Sequence, residues 1–289
     1  MSPAARASFG CAALLAASFG LASCTEAAIT EPPLTTVSEV RPSTTTVDTT
    51  VTEDASEPLV GTLTTTIVDT HPHDTGAFTQ GLEIFDGRFI EGTGLYGESD
   101  RRIVDIESGE TVASVPIDLD LFGEGITVVG AEILQLTWKA GVLIRSDVST
   151  LVETGRDRYE GEGWGICFDG ETLAMSDGSS TLTFRDPETF EPIGTIDVSL
   201  NGAPVERLNE LECVNGQILA NVWLSDLIVV IDPASGDVAA TLDGGSLWPE
   251  GLPVDDSSFA LNGIAHDPDT GHFFLTGKLW PVIYEVELS

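Results

Sequence analysis

"QGLEIFDGRFIEGTG", residues 80–94, decides the fold. It reads as a strand, an Asp-Gly turn and a second strand. The pattern returns as "EGITVVGAEILQLTW" from Glu124, "WGICFDGETLAMSDG" from Trp164, "ELECVNGQILANVW" from Glu210 and "NGIAHDPDTGHFFLTGK" from Asn262. The spacing is roughly 40–50 residues, the length of one propeller blade. More polar hairpins lie between these, such as "IVDIESGETVASVPI" and "LIVVIDPASGDVAATL", punctuated by Ser-Gly and Asp-Pro. Long helical periodicity is absent. Five units of four strands predict an all-β, five-bladed β-propeller over residues 61–289. "VGTLTTTIVDT", before the first hairpin, and "VIYEVEL", near residue 289, are expected to share the last blade and close the ring, which protects its edges. An irregular β-sandwich would not produce a five-fold hairpin repeat.

Residues 1–23 have an early arginine followed by an alanine-rich apolar stretch too short for a stable span. They read as a lipoprotein signal peptide. Leu21-Ala22-Ser23-Cys24 resembles a lipobox, which makes Cys24 the expected lipidation site; an ordinary signal peptide with Cys24 incidental is the alternative. Residues 24–60 are rich in Thr, Pro, Ser and acids and lack the apolar content to order, so they read as a disordered tether. The expected location is the cell membrane, facing outside the cytoplasm. Acids outnumber Lys plus Arg by 47 to 12, a net charge of −35. That excludes a nucleic-acid partner, which needs a basic footprint, and describes a solvated acidic surface. Cys167 and Cys213 are the two cysteines outside the leader. In an exported domain they read as a disulfide, with two free buried thiols as the alternative.

In a propeller, the start of each inner strand and the end of the next, antiparallel strand share one face. The starts carry Gln80, Glu124, Trp164, Asn209 and Asn262; the second-strand ends carry Glu91, Trp138, Asp177, Trp223 and Lys278. Phe122 stands just before Glu124. These residues are expected around one mouth of the channel. Aromatic walls with a few convergent polar groups are the usual make-up of a small-molecule site. The chain has two lysines, Lys139 and Lys278, so Lys278 in that ring is notable.

Six motifs in order, "PHDTGAFTQGL", "EGTGLYGES", "EGWGICFDG", "LNELECVNG", "ALNGIA" and "LTGKLWP", resemble the plant and bacterial type of glutaminyl-peptide cyclotransferase. The resemblance covers about residues 60–289. It implies a five-bladed propeller that converts the N-terminal glutamine of a peptide or protein to pyroglutamate and releases ammonia. It also implies roles. Glu124 matches the acid/base glutamate, and Asn209 and Lys278 match its polar partners. Gln80 matches a substrate-binding glutamine, and Phe122, Trp138, Trp164 and Trp223 match the aromatic wall. Asn262 joins the expected substrate-binding set by its place in the ring.

The chemistry suits these residues. A carboxylate whose pKa is raised by an apolar pocket can carry a proton from the attacking nitrogen to the leaving one. Lys278 and Asn209 are donors toward the oxyanion. No cofactor is required, and a monomer is expected. A structural calcium ion is compatible with the many acids and loop carbonyls. His71, His73 and Asp74 in "HPHD" invite a metal reading, but a structural role is the stronger expectation, and no metal-ligand set is assigned. The competing readings are a propeller that binds peptides or sugars without chemistry and a metal-dependent propeller hydrolase.

Overall fold

The computed structural model describes residues 60–254 and 256–289. The expected signal peptide, Cys24 and all of the expected tether except Val60 lie outside the described residues. Five sheets of four antiparallel strands follow one another around a ring. Blade 1 holds Thr79–Phe85, Arg88–Thr93, Asp100–Asp105 and Thr111–Pro116. Blade 2 runs from Gly123–Val129 to Glu153–Arg158, and blade 3 from Ile166–Phe168 to Pro192–Asp197. Blade 4 runs from Leu208–Val214 to Val238–Asp243. Blade 5 contributes Leu261–His266, Phe273–Gly277 and Val282–Leu288. The first strand of every blade touches the first strand of the next, and blade 5 returns to blade 1.

The ring closes as the sequence suggests: Thr65–Pro72 is the outer strand of blade 5, antiparallel to Val282–Leu288. One element departs from that expectation, which put all of "VGTLTTTIVDT" in the last blade. Gly61–Leu63 lies parallel on Val238–Asp243 as a fifth strand of blade 4, so two neighbouring blades are stitched by one continuous stretch.

The core is divided among the blade interfaces. Separate apolar clusters form between blades 1 and 2, 2 and 3, 3 and 4, 4 and 5, and 5 and 1. Side-chain alternation explains the apolar runs in the second strands. In "QILANV", Ile218 and Ala220 pack toward blade 3, whereas Leu219 packs toward blade 5. Cys167 and Cys213 lie on neighbouring inner strands and are joined as a disulfide, which ties blade 3 to blade 4.

Part of the acidic surplus is structural. Asp105, Asp147, Asp186, Asp232 and Asp267 each open a similar turn, in which the residue four later donates its N–H to the aspartate carbonyl. That fourth residue has positive φ in every case: Gly109, Gly236 and Gly271, but also Leu151 (φ 59°) and Phe190 (φ 60°). A left-handed non-glycine residue costs about 1–2 kcal/mol. Leu151 and Phe190 are fully buried, which returns about 1.5–3 kcal/mol each, so burial holds these turns.

The feature that positions the site is an interruption of pairing. In four blades the inner strand shifts register against its partner near its start: between Thr79 and Gly81, Gly123 and Ile126, Leu208 and Leu211, and Leu261 and Ile264. Bulges of this kind re-aim a side chain. The residues at these interruptions include Gln80, Glu124, Asn209 and Asn262. Glycine follows Glu124 because the next blade crosses there: a Cβ on Gly125 would stand 2.7 Å from the Trp164 carbonyl oxygen.

Candidate active site

Each second strand ends at the same mouth. In four blades the backbone N–H of the residue just after this strand donates to the carbonyl of the residue two before the inner-strand polar position. Gly94 bonds to Phe78, Trp138 to Phe122, Trp223 to Arg207 and Lys278 to Ala260, all at 2.8–3.0 Å. The next residue is left-handed in three blades: Leu95 (φ 85°), Leu224 (φ 63°) and Leu279 (φ 59°). The chain thus reverses at the rim just after Gly94, Trp223 and Lys278.

The mouth encloses a pocket of about 270 Å³. Its polar lining is Gln80, Glu124, Asn209 and Lys278. Phe78, Phe122, Trp138, Trp164 and Trp223 supply its aromatic wall. Leu95, Ser257 and Ser258 complete the rim. The rings lock edge to face: Phe122 against Trp138 at 5.6 Å, and Trp164 against Trp223 at 5.4 Å. The Lys278 ammonium lies 4.8 Å from the centre of the Phe78 ring.

Burial sets the electrostatics. Glu124 is buried, and desolvation raises its pKa well above the usual carboxylate value. The Lys278 charge opposes that rise, and the nearby Glu162 charge adds to it. Desolvation lowers the Lys278 ammonium to about 8, against the pull of Glu124. Two ionisable groups are therefore brought toward neutral pH from opposite sides. The Oδ1 atom of Asn209 is buried with no hydrogen-bond partner, an acceptor that a substrate donor would complete.

The pocket brings together Gln80, Phe122, Glu124, Trp138, Trp164, Asn209, Trp223 and Lys278. Asn262 stands behind this lining. It is fully buried, and its Nδ2 donates to the Thr79 carbonyl (3.1 Å) and to Gln80 Oε1 (3.4 Å), so it orients Gln80. Two residues depart from the expected ring. Glu91 pairs opposite Leu82, below the strand end, so Gly94 takes the rim position. Asp177 is exposed and accepts from the Ser179 N–H (3.0 Å).

The "HPHD" residues are engaged elsewhere. His73 bridges Glu91 Oε1 (3.0 Å) and the Trp280 carbonyl (2.9 Å); burial works against its charge, but these partners raise its pKa. His71 meets Glu285 at 3.1 Å, and Asp74 pairs with Arg102 at 2.9 Å.

One residue absent from the expected set organises the wall. Glu162 Oε2 accepts the indole N–H of both Trp138 (2.6 Å) and Trp164 (3.1 Å). Its other oxygen pairs with Lys139 at 3.5 Å, and that ammonium sits 3.8 Å from the centre of the Trp138 ring. Both lysines of the chain therefore serve this mouth. The Tyr159 hydroxyl accepts from the Thr137 N–H (3.0 Å) and donates to the Thr137 carbonyl, which anchors the segment carrying Glu162. The signal for these residues lay in the repeat. Phe78, Phe122 and Glu162 occupy the same place, two before Gln80, Glu124 and Trp164.

Comparison with known proteins agrees with this geometry. A model described as glutamine cyclotransferase matches residues 42–288. The chain belongs to the glutamine cyclotransferase family. It is 38% identical over 231 residues to the glutaminyl-peptide cyclotransferase of Arabidopsis thaliana, covering 77% of this chain and 71% of that protein. It is also similar to the crystal structure of Myxococcus xanthus glutaminyl cyclase, with 38% identity and a TM-score of 0.75. That match covers 80% of this chain and 99% of the other.

Proposed function

We infer that the protein is a glutaminyl-peptide cyclotransferase, which closes the N-terminal glutamine of a peptide to pyroglutamate and releases ammonia. The observation that carries this reading is the buried Glu124 carboxylate with its raised pKa, set beside Lys278 inside an aromatic pocket of amino-acid size. Family membership and the two 38%-identical cyclases support it.

The neutral α-amine attacks the carbon of its own side-chain amide. Glu124 takes a proton from the attacking nitrogen and returns it to the departing one as the carbon–nitrogen bond breaks, so one carboxylate serves both steps. Negative charge on the amide oxygen meets the Lys278 ammonium and the Asn209 amide, each worth on the order of a few kcal/mol in a dry site. The aromatic wall holds the substrate in the cyclising geometry and keeps water out. Gln80, steadied by Asn262, anchors the substrate backbone. The reaction needs no metal.

The test is ammonia release from a glutaminyl peptide by the full chain in EDTA, beside Glu124→Gln. Release by the wild type alone is expected. Full activity in Glu124→Gln would remove the shuttle role, and no release by folded wild-type protein would remove the activity. We also propose that Cys24 is lipidated and tethers the enzyme to the outer face of the cell membrane, on the strength of Leu21-Ala22-Ser23-Cys24. Cys24→Ala should then leave the membrane fraction.

A further inference from the structure

A peptide whose first residue fills the pocket must leave through the mouth. Trp138, Glu162 and Trp164 are hydrogen-bonded into one wall, and Phe78 and Phe122 form another. Toward the junction of blades 4 and 5 lies a second cavity of about 510 Å³. The two cavities share Ser257 as a lining residue. Trp223 belongs to the first and Leu224, next in the chain, to the second.

This second cavity has a fixed floor and a charged side. The Trp248 ring packs on the buried Trp280 at 5.4 Å, and its indole N–H donates to the Leu252 carbonyl at 3.3 Å. Leu224 presents an apolar side chain 48% exposed. Asp226 and Asp256 add carboxylates, and among the described residues no basic side chain lines the cavity. Asp256 is committed to the Ser258 N–H at 2.9 Å. The Asp226 carboxylate has no hydrogen bond or ion pair among the described residues. Asp226 is exposed, and partial desolvation together with the neighbouring Asp243 disfavours its charge.

We propose that this groove is the binding site for the residues that follow the N-terminal glutamine, and that it selects cationic side chains there. The proposal rests on the cyclase reading and extends it. An extended chain advances about 3.3–3.6 Å per residue, so one or two residues reach a cavity that adjoins the first. A lysine or arginine fits both parts of the lining. Its methylene stem lies along Trp248 and Leu224, and its head meets Asp226, relieving the repulsion from Asp243.

The experiment compares kcat/KM for ammonia release from Gln-Arg-Arg-Ala, Gln-Glu-Glu-Ala and glutamine amide, using the full chain. Glutamine amide ends before the groove and reports the folding of each variant. The net charge of the protein favours cationic peptides everywhere, so Glu188→Lys, an exposed site on blade 3, makes the same charge change away from the mouth. The wild type should prefer the arginine peptide by about tenfold. Glu188→Lys should keep that ratio, Asp226→Asn should reduce it by about threefold, and Asp226→Lys should abolish or reverse it. Equal ratios in Asp226→Lys and Glu188→Lys, with glutamine amide still turned over, would overturn the groove alone. Silence of the wild type on all three substrates would overturn the cyclase reading and the groove with it.

Discussion

The inner strands carry two sets of buried carboxylates. At the mouth is Glu124; along the channel are Glu83, Glu210 and Glu212. Desolvation raises all four, Glu83 to about 7 and the others well above the usual value. Their surroundings differ. Glu210 reaches across the channel from blade 4 to accept from the Leu82 N–H of blade 1 (3.4 Å) and the Ile264 N–H of blade 5 (2.9 Å). Glu212 accepts from the His266 N–H (3.0 Å), and Glu83 accepts from Thr127 (2.9 Å). These groups stitch strands together. Glu124 has a neighbouring ammonium and faces a pocket with an uncommitted acceptor on Asn209. A raised pKa therefore does not by itself mark a catalytic candidate. What separates the two sets is access to a substrate and a partner of opposite charge.

The largest effect should separate them by activity. Glu124→Gln should lower kcat by about 10²–10⁴-fold, whereas Glu210→Gln should leave kcat within about twofold once folding is confirmed by circular dichroism. Equal losses of kcat in two folded variants would erase the distinction. Lys278 comes next. Lys278→Met should cost about 10²–10³ in kcat through loss of oxyanion stabilisation. Its titration gives a sharper readout. With the ammonium near 8, kcat/KM should fall on the alkaline side as Lys278 loses its proton. The acid side rises as Glu124 and the substrate amine, ordinarily near 7.7–8.0, lose theirs. Lys278→Arg should keep part of the activity and remove the alkaline fall.

The channel set makes a prediction about stability. A carboxyl whose folded pKa is raised binds its proton more tightly when folded, so stability declines as pH rises from the unfolded value near 4.5 through the folded one. His73, also raised, adds a contribution present below about 6.5 and lost as pH climbs through its folded value. Tm should therefore fall by about 5 °C between pH 5 and pH 8, and Glu210→Gln should flatten that slope. A Tm that rises over this window would show that the channel carboxylates are solvated.

The repeat made much of this legible, because a blade is a local hairpin pattern and its phase is written in turns such as Asp86-Gly87 and Asn215-Gly216. It is enough to put Gln80, Glu124, Asn209 and Lys278 on one face. It misplaced Glu91 because the second strand of blade 1 runs on past it to Thr93, and the bulge at Gln80 changes the count between the strands. Bulges depend on how neighbouring blades press together, as at Gly125, and that is a tertiary property. The parallel pairing of Gly61–Leu63 was hidden for the same reason, since its partner lies nearly two hundred residues away. Glu162 was legible in principle. The place two before Gln80, Glu124 and Trp164 holds Phe78, Phe122 and Glu162, but a single acid in a sequence with 47 acids carries little signal.

Glu162 also gives the smallest prediction and the one that best divides geometry from charge at the mouth. It touches two tryptophans of the pocket wall, so its expected effect is on positioning. In Glu162→Gln an amide oxygen can still accept both indole N–H groups, while the negative charge and the Lys139 pair are lost. KM should stay within about twofold, and the acid limb of the pH profile should move down, because the Glu162 charge is one cause of the raised Glu124 pKa. In Glu162→Ala both indoles lose their acceptor and the wall loosens, so KM should rise by about tenfold, the scale of one or two buried hydrogen bonds. If instead Glu162→Gln raised KM as much as Glu162→Ala, charge would hold the wall, through Lys139 stacked on Trp138, and the shared carboxylate oxygen would be incidental.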